Sequence, residues 1–364
     1  MRRNILDNQV LYPKPLNMLT YPYENPPAAG ESIEVAPSVF WIRMPLPFAL
    51  DHINLWLLRD VKDGVDGWTI VDTGYGSAET HALWKRHFVE TMQSLPVHRI
   101  IVTHYHPDHV GCANWLHERT GAPLWMTATE FMSAHAAADD AAGFDRDNSA
   151  KLFVSHGLAR VRPDFAAAQA TRTAAFKRGV SSVPRQYVRI MDGDDIEIGH
   201  RHWHVSTVFG HAPEHAVLFC AADKLLISGD QVLPRISTNV GVWGNQPEAN
   251  PLKQFLDSFD KFSAMPDDTL IMPSHGRVFR GLHARIAELK QHHQDRLSDL
   301  VAALAEPKAA ADVLGVLFKR SLDDHQLVFA IGEAIAHLHY LWYRGLAKRT
   351  LDADGVYLFS RVAG

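Results

Sequence analysis

Residues 103–111 read Thr-His-Tyr-His-Pro-Asp-His-Val-Gly, and this segment decides the interpretation of the chain. It directly follows the apolar run 100–102, which predicts a short buried strand. Three histidines and one carboxylate therefore come together at the end of that strand. Imidazole nitrogen and carboxylate oxygen are the ligands that borderline divalent metals prefer. The segment predicts a metal site at the edge of a sheet.

The spacing within the segment favours two ions over one. His104 and His106 alternate along the chain, so their rings can converge on one ion. Asp108 and His109 follow the turn imposed by Pro107 and can face a second ion nearby. Histidine is frequent in this chain, at 22 of 364 residues, so a solvated patch is the alternative interpretation.

The composition predicts a soluble cytoplasmic protein. A chain of 364 residues with 46% hydrophobic residues can bury a large core and hold two domains. The net charge of −5 favours neither nucleic acid nor an anionic membrane. The two cysteines, Cys112 and Cys220, exclude a disulfide framework and suit a reducing compartment. No apolar run is long enough to cross a bilayer, and no apolar segment follows the basic residues at the start.

Short apolar runs separated by turn residues predict strands in two groups, each accompanied by helices. The predicted strands are 33–35, 39–42, 53–58, 68–71, 100–102, 189–191, 195–198, 203–208, 216–220, 224–227 and 270–272. The predicted helices in this part are 78–94, one from 108 to 119, and 251–262. This order indicates an α+β fold with two sheets and helices packed outside them.

Changes in composition and in predicted secondary structure divide the chain into three parts. Residues 1–31 are rich in Pro, Asn and Tyr and predict an extended arm. Residues 32–281 form the predicted catalytic domain, in which 127–182 is an Ala-rich helical insertion that includes 134–142 and 165–177. Residues 282–364 have the order helix, helix, helix, hairpin, which is that of a winged helix.

One cluster cannot complete the ligand shells of two ions, and further ligands follow later strands. His211, Asp230 and His275 each come just after a predicted strand and beside Gly or Pro. Glycine lets the backbone turn sharply and lets a ligand approach closely. From the residues alone, His211 and His215 are both candidates for the same position.

This ordered set resembles the metallo-β-lactamase superfamily over residues 32–280. The match includes its five characteristic segments, which are Asp72-Thr73-Gly74, the cluster 104–109, His211, Asp230 and His275. The resemblance implies an αββα sandwich with the site at one edge of the two sheets.

The resemblance also implies seven metal ligands in two groups. They are His104, His106 and His211 for the first ion, Asp108, His109 and His275 for the second, and Asp230 as the bridge. It implies that Asp72 steadies the cluster loop, and it favours His211 over His215 as a ligand. Zinc is the expected metal, although iron and manganese also suit His and carboxylate ligands.

A bridged pair of ions implies a hydrolase. The ions would lie within ~4 Å of each other and convert a bridging water to hydroxide, which attacks a carbonyl or phosphoryl centre. Asp108 and Asp230 are the predicted catalytic residues, with Asp108 also a candidate for proton transfer. Cys112 is expected to be buried rather than to act as a nucleophile.

The C-terminal segment looks like the tail of the lactamase-β-2-like branch, which includes thioesterases and an endoribonuclease. Residues 283–364 contain ten Lys/Arg and ten Asp/Glu, without the positive excess of a duplex-binding domain. We therefore expect an ester or thioester hydrolase with a small acyl substrate and no nucleic-acid or membrane partner. Its tail would cap the catalytic domain or contact a twin subunit in a homodimer. A ribonuclease or phosphodiesterase and a non-catalytic metal-binding protein are the alternatives.

Overall fold

The computed structural model describes residues 19–141, 143–165 and 175–362. Two sheets stack face to face, and helices cover their outer faces. The first sheet has seven strands in the order β1-β2-β3-β4-β5-β6-β7. These strands are β1 Ser32–Ala36, β2 Val39–Pro45, β3 His52–Lys62, β4 Val65–Val71, β5 Val97–Ile101, β6 Leu124–Met126 and β7 Tyr187–Arg189.

The second sheet has five strands in the order β12-β11-β10-β9-β8. They are β8 Asp195–Ile198, β9 Arg201–Val208, β10 His215–Cys220, β11 Leu225–Gly229 and β12 Leu270–Pro273. A separate hairpin pairs β13 Ala347–Leu351 with β14 Tyr357–Arg361.

The helices of the described residues alternate with these strands and then dominate after β12. They are α1 Ala78–Glu90, α2 Pro107–Val110, α3 Ala113–Thr120, α4 Ala128–Ala138, α5 Arg146–Ser155, α6 Leu158–Val161, α7 Ala175–Gly179, α8 Pro251–Ser258, α9 Leu282–Ala303, α10 Leu314–Leu317 and α11 Asp324–Tyr343. Short 3₁₀ turns follow α8 at Phe259–Phe262 and precede α10 at Ala311–Val313. None of the described helices is both long and apolar enough to cross a membrane.

Strand β3 shows why the sheets stack. Leu55 and Leu57 face the layer with α1 and α3, whereas Trp56 and Leu58 face the second sheet. Side chains on a strand alternate between its two faces, so an unbroken apolar run is buried on both. A third apolar core lies between the outer face of the second sheet and helices α8, α9 and α11. The predicted αββα fold is thereby confirmed.

The structure corrects some boundaries. Helix α1 ends at Glu90 and not at Ser94, because Gln93 and Ser94 adopt the left-handed conformation that ends a helix. Strand β6 was not predicted, since three residues carry too little periodicity. The last turn of the predicted helix 251–262 is a 3₁₀ turn.

The described part of the predicted insertion 127–182 is helical, in α4 to α7. Most of the predicted helix 165–177 lies outside the described residues, as does the N-terminal arm before residue 19. After β12 the chain runs helix, short helix, helix, hairpin, as the sequence indicates. The winged-helix assignment and the domain boundaries stay predictions.

Candidate metal centre

The candidate ligands come from the ends of four strands that reach one edge of the sandwich. The segment after β5 carries the cluster 104–109, and the turn after β9 carries His211. Asp230 follows β11 and His275 follows β12, which pair in parallel and so end at the same edge. Three of the ligands follow one local pattern, since the last residues of β9, β11 and β12 are buried and a glycine lies beside His211, Asp230 and His275.

The structure brings all seven predicted ligands together. Three groups have donor atoms within 4.8 Å of one another, and they are His104, His106 and His211; His104, His109 and Asp230; and Asp108, His109 and His275. In the first group, Nε2 of His104 lies 2.9 Å from Nδ1 of His106 and 3.2 Å from Nε2 of His211. In the last, Oδ2 of Asp108 lies 3.4 Å from Nε2 of His275.

Asp230 lies between the two outer groups. Its Oδ2 is 3.2 Å from Nε2 of His211, in the first group. Its Oδ1 is 3.5 Å from Nε2 of His109 and 3.4 Å from Nε2 of His275, in the last group. One carboxylate thus presents one oxygen to each group, which is the arrangement that a bridging ligand requires.

The donor set fits divalent cations. Nε2 of His109 and Oδ1 of Asp230 are buried without a hydrogen-bond partner among the described residues. Most buried polar atoms in folded proteins are paired, because an unpaired one costs about 1–3 kcal/mol. Cations at these positions would satisfy both atoms, and imidazole with carboxylate suits zinc, iron or manganese.

The far nitrogen of each of four ligand rings is held by an oxygen. Nδ1 of His109 lies 2.8 Å from Oδ2 of Asp72, and Nδ1 of His104 lies 3.1 Å from the hydroxyl of Thr103. Backbone carbonyls of Asn239 and His52 hold His211 and His275, both at 2.8 Å. Such contacts fix the tautomer and orientation of a ligating ring and leave its other nitrogen facing the metal.

Asp72 has the supporting position that the resemblance implies. Besides His109, its carboxylate accepts hydrogen bonds from the backbone N–H of Thr103, at 2.8 Å, and from the Thr103 hydroxyl. Asp72 itself is in the left-handed region, with φ +61°. It therefore anchors the start of the cluster loop at the cost of local backbone strain.

His215 lies behind the ligands. Its Nε2 accepts a hydrogen bond from the backbone N–H of Asp230 at 3.1 Å, and its ring stacks on His104. It belongs to none of the three donor groups, whereas His211 belongs to one. The geometry thus favours His211 for the ligand role and gives His215 the task of placing Asp230.

Two of the ligand rings are already in the neutral form that binds metals, whereas a third is protonated. Burial lowers the pKa of His106 to about 3 and that of His104 well below its usual value, so both rings are neutral at pH 7. Burial also opposes the charge of His275, but the Asp230 and Asp108 carboxylates outweigh it and raise the pKa of His275 to about 10. A cation binding there would displace a proton, because metals bind neutral imidazole.

Glu130 is a site residue that the sequence analysis missed. This fully buried residue of α4 accepts the backbone N–H of Tyr105 at 2.9 Å and that of Glu214 at 2.6 Å. One carboxylate therefore connects the loop of His104 and His106 to the loop of His211. The available signal was a lone acid in an Ala-rich helix.

Cys112 is buried, and its thiol donates a hydrogen bond to the carbonyl of Tyr75. Burial raises the pKa of the thiol to about 12, so it stays protonated at pH 7. Since the thiolate is the reactive form, this environment agrees with the expectation that Cys112 packs rather than reacts.

A family model described as metallo-beta-lactamase superfamily matches residues 49–275, which is more than half of the chain. The chain belongs to the metallo-β-lactamase superfamily. A second model, described as metallo-beta-lactamase-like, C-terminal domain, matches residues 297–362. The predicted superfamily is confirmed, and the tail is of a kind that accompanies this catalytic fold.

Similar proteins match this superfamily member over most of its length. A crystal structure of a beta-lactamase domain protein from Burkholderia ambifaria is 46% identical, covers 94% of this chain and 98% of its own, and has a TM-score of 0.89. The metallo-beta-lactamase family protein TTHA1429 from Thermus thermophilus is 29% identical, covers 90% and 100% of the two chains, and has a TM-score of 0.74. A curated Bacillus subtilis protein named probable metallo-hydrolase YqjP is 24% identical and covers 83% of this chain and 92% of its own.

Proposed function

We propose that this chain is a metal-dependent hydrolase that cleaves a small ester or thioester with two divalent ions, zinc in the first instance. The observation that carries the proposal is Asp230, with one oxygen toward each ligand group. The superfamily membership and the name of the Bacillus subtilis relative agree with hydrolysis.

The candidate ligands have separate roles in the proposed centre. His104, His106 and His211 would hold one ion, and Asp108, His109 and His275 the other, with Asp230 between them. Such ions, when bound, would lower the pKa of a bound water from ~15.7 to ~7 and polarise a carbonyl oxygen. Asp230 fixes the spacing of the two groups. Asp108, whose side chain is 19% exposed against 10% for Asp230, is our candidate for moving the proton.

A nuclease is the second candidate, because the same centre can act on phosphodiesters. The balanced charge of residues 283–364 argues against it, since nucleic-acid affinity depends on positive excess. The two buried cysteines are free, which supports a reducing, cytoplasmic location. A homodimer stays a proposal.

A substrate panel tests the proposal. Metal-loaded protein is assayed on an acyl thioester, a lactone and single-stranded RNA, with Asp230→Ala as the inactive control. We expect turnover of the thioester or the lactone and loss of that turnover in the variant. Cleavage of RNA alone would transfer the assignment to the nuclease, and no turnover of any substrate would favour a non-catalytic metal-binding protein.

A further inference from the structure

A cavity of about 540 Å³ lies between the catalytic fold and the C-terminal helices. The segment 235–239, which follows Asp230, forms one wall, and helices α9, α10 and α11 form the others. The volume lies within the range of small-molecule sites. The residues that line it do not include the seven candidate ligands, so it is separate from the metal centre itself.

The charged side chains of the cavity carry a positive excess. Four arginines and two glutamates line it, and they are Arg235, Arg285, Arg296, Arg320, Glu288 and Glu333. Arg285 is already engaged by Glu288 at 2.9 Å and by two backbone carbonyls. Arg235 and Arg296, by contrast, have no hydrogen-bond or ion-pair partner among the residues that the structure describes. Burial raises the pKa of Glu333 to about 7, although the nearby charge of Arg296 acts in the other direction. The carboxyl of Glu333 is therefore only partly ionised at pH 7, which reduces the negative charge in the cavity.

One residue, Asn239, contacts both the cavity and a candidate metal ligand. Asn239 lines the cavity, and the carbonyl of the same residue holds Nδ1 of His211 at 2.8 Å. The neighbouring Thr238 donates its hydroxyl to the carbonyl of Asp230 at 2.5 Å. Ser237 also lines the cavity. The segment 237–239 thus borders both the cavity and the metal centre.

We propose that this cavity binds the anionic end of the substrate, a phosphate or carboxylate group, while the scissile bond lies at the metal centre. The proposal rests on the proposed function. Guanidinium groups hold oxyanions with paired, charge-assisted N–H donors, and Arg235 and Arg296 are the two available for this. Leu289, Leu317 and Phe318 line the cavity as well and pack against the apolar part of such a substrate.

Binding of two anions to the metal-loaded protein tests the cavity without any turnover. Adenosine 3′,5′-bisphosphate represents a phosphate end and hexanoate a carboxylate end, each titrated by calorimetry. The double variant R235Q/R296Q is compared with R189Q/R361Q, which removes the same charge at two exposed arginines outside the cavity. We expect one anion to bind, with a Kd at least tenfold higher in the double variant and unchanged in the control. Binding of neither anion, or equal Kd values in both variants, would overturn the proposal.

Kinetics on two thioesters then separate this proposal from the proposed function. The same acyl group is offered on coenzyme A, which carries phosphates, and on N-acetylcysteamine, which carries none. The double variant should raise KM for the phosphate-bearing thioester at least tenfold with kcat within twofold, and leave the neutral thioester unchanged if phosphate is the bound group. Equal KM changes for both thioesters contradict the cavity's role. If the wild type cleaves neither thioester but still binds the anion, the proposed thioesterase activity is wrong and the anion site in the cavity is retained.

Discussion

Replacing Glu130 with glutamine separates the positioning role of this carboxylate from its cost to folding. Burial raises the pKa of Glu130 from 4.5 to about 8, although the N–H groups of Glu214 and Tyr105 act in the other direction. The folded state thus disfavours the charged form. Stability is lost as the pH rises from about 4.5 to about 8, by about 5 kcal/mol over the whole window at ~1.4 kcal/mol per pH unit.

The substitution Glu130→Gln removes the free-energy cost of ionising a buried carboxyl, and it also removes one hydrogen-bond acceptor. Its amide group presents an N–H to one of the two backbone donors, which leaves that buried donor without an acceptor at a cost of about 1–3 kcal/mol. At pH 7 these effects nearly cancel, so global stability should change by less than about 2 kcal/mol. Metal affinity should still fall about 10- to 100-fold, because the loops of His104 and His211 lose their common anchor.

Two measurements check this prediction, with E197Q on the exposed face of β8 as the matched control. Thermal unfolding at pH 5, 7 and 9 should show the wild type losing stability relative to Glu130→Gln as the pH rises. Competition with a chromophoric chelator should show weaker metal binding by Glu130→Gln alone. Metal affinity equal to that of the control would refute the positioning role, whatever the stability.

Three further substitutions probe the surroundings of the ligands. Asp72→Asn should lower metal content from about two ions toward one, because His109 loses its charged partner; full occupancy by elemental analysis would contradict this. His215→Ala should still bind about two ions at saturating metal, although more weakly because the N–H of Asp230 loses its acceptor, and loss of an ion even at saturating metal would give His215 the ligand role. Gly229→Ala would place a Cβ 2.3 Å from the His215 ring, at a position where φ is +51°, and should lower Tm. The control is Gly121→Ala, where φ is +71° and no atom lies within 4 Å of the added Cβ. The control variant shows the cost of the backbone conformation alone. Equal Tm values for the two glycine variants would mean that the clash is relieved.

The strands and the positions of candidate ligands could be predicted because they depend on local patterns, whereas the seven-residue ligand set and the αββα sandwich came from the resemblance to the superfamily. Apolar runs mark the strands, and a ligand beside a turn residue marks the end of each strand, as for Asp230 after β11. Parallel strands then bring such ends to one edge without further information. The supporting place of Asp72, by contrast, came from the resemblance to the superfamily, and the structure has its Oδ2 2.8 Å from Nδ1 of His109.

Contacts between distant segments could not be predicted in this way. Glu130 meets Glu214 across 84 positions, and its role depends on how α4 packs under two loops. The carbonyl of Asn239 supports His211 through the backbone, which leaves no trace in residue type. The cavity lined by Arg235 and Arg296 exists only because the C-terminal helices dock against the segment after Asp230. These features require the packed structure.

An anomalous-scattering map of a metal-loaded crystal would show whether this chain holds a two-ion centre. We expect two peaks ~4 Å apart, one beside His104 and His211 and the other beside His109 and His275, with the Asp230 carboxylate touching both. A single peak, or two peaks that Asp230 does not join, would contradict this expectation.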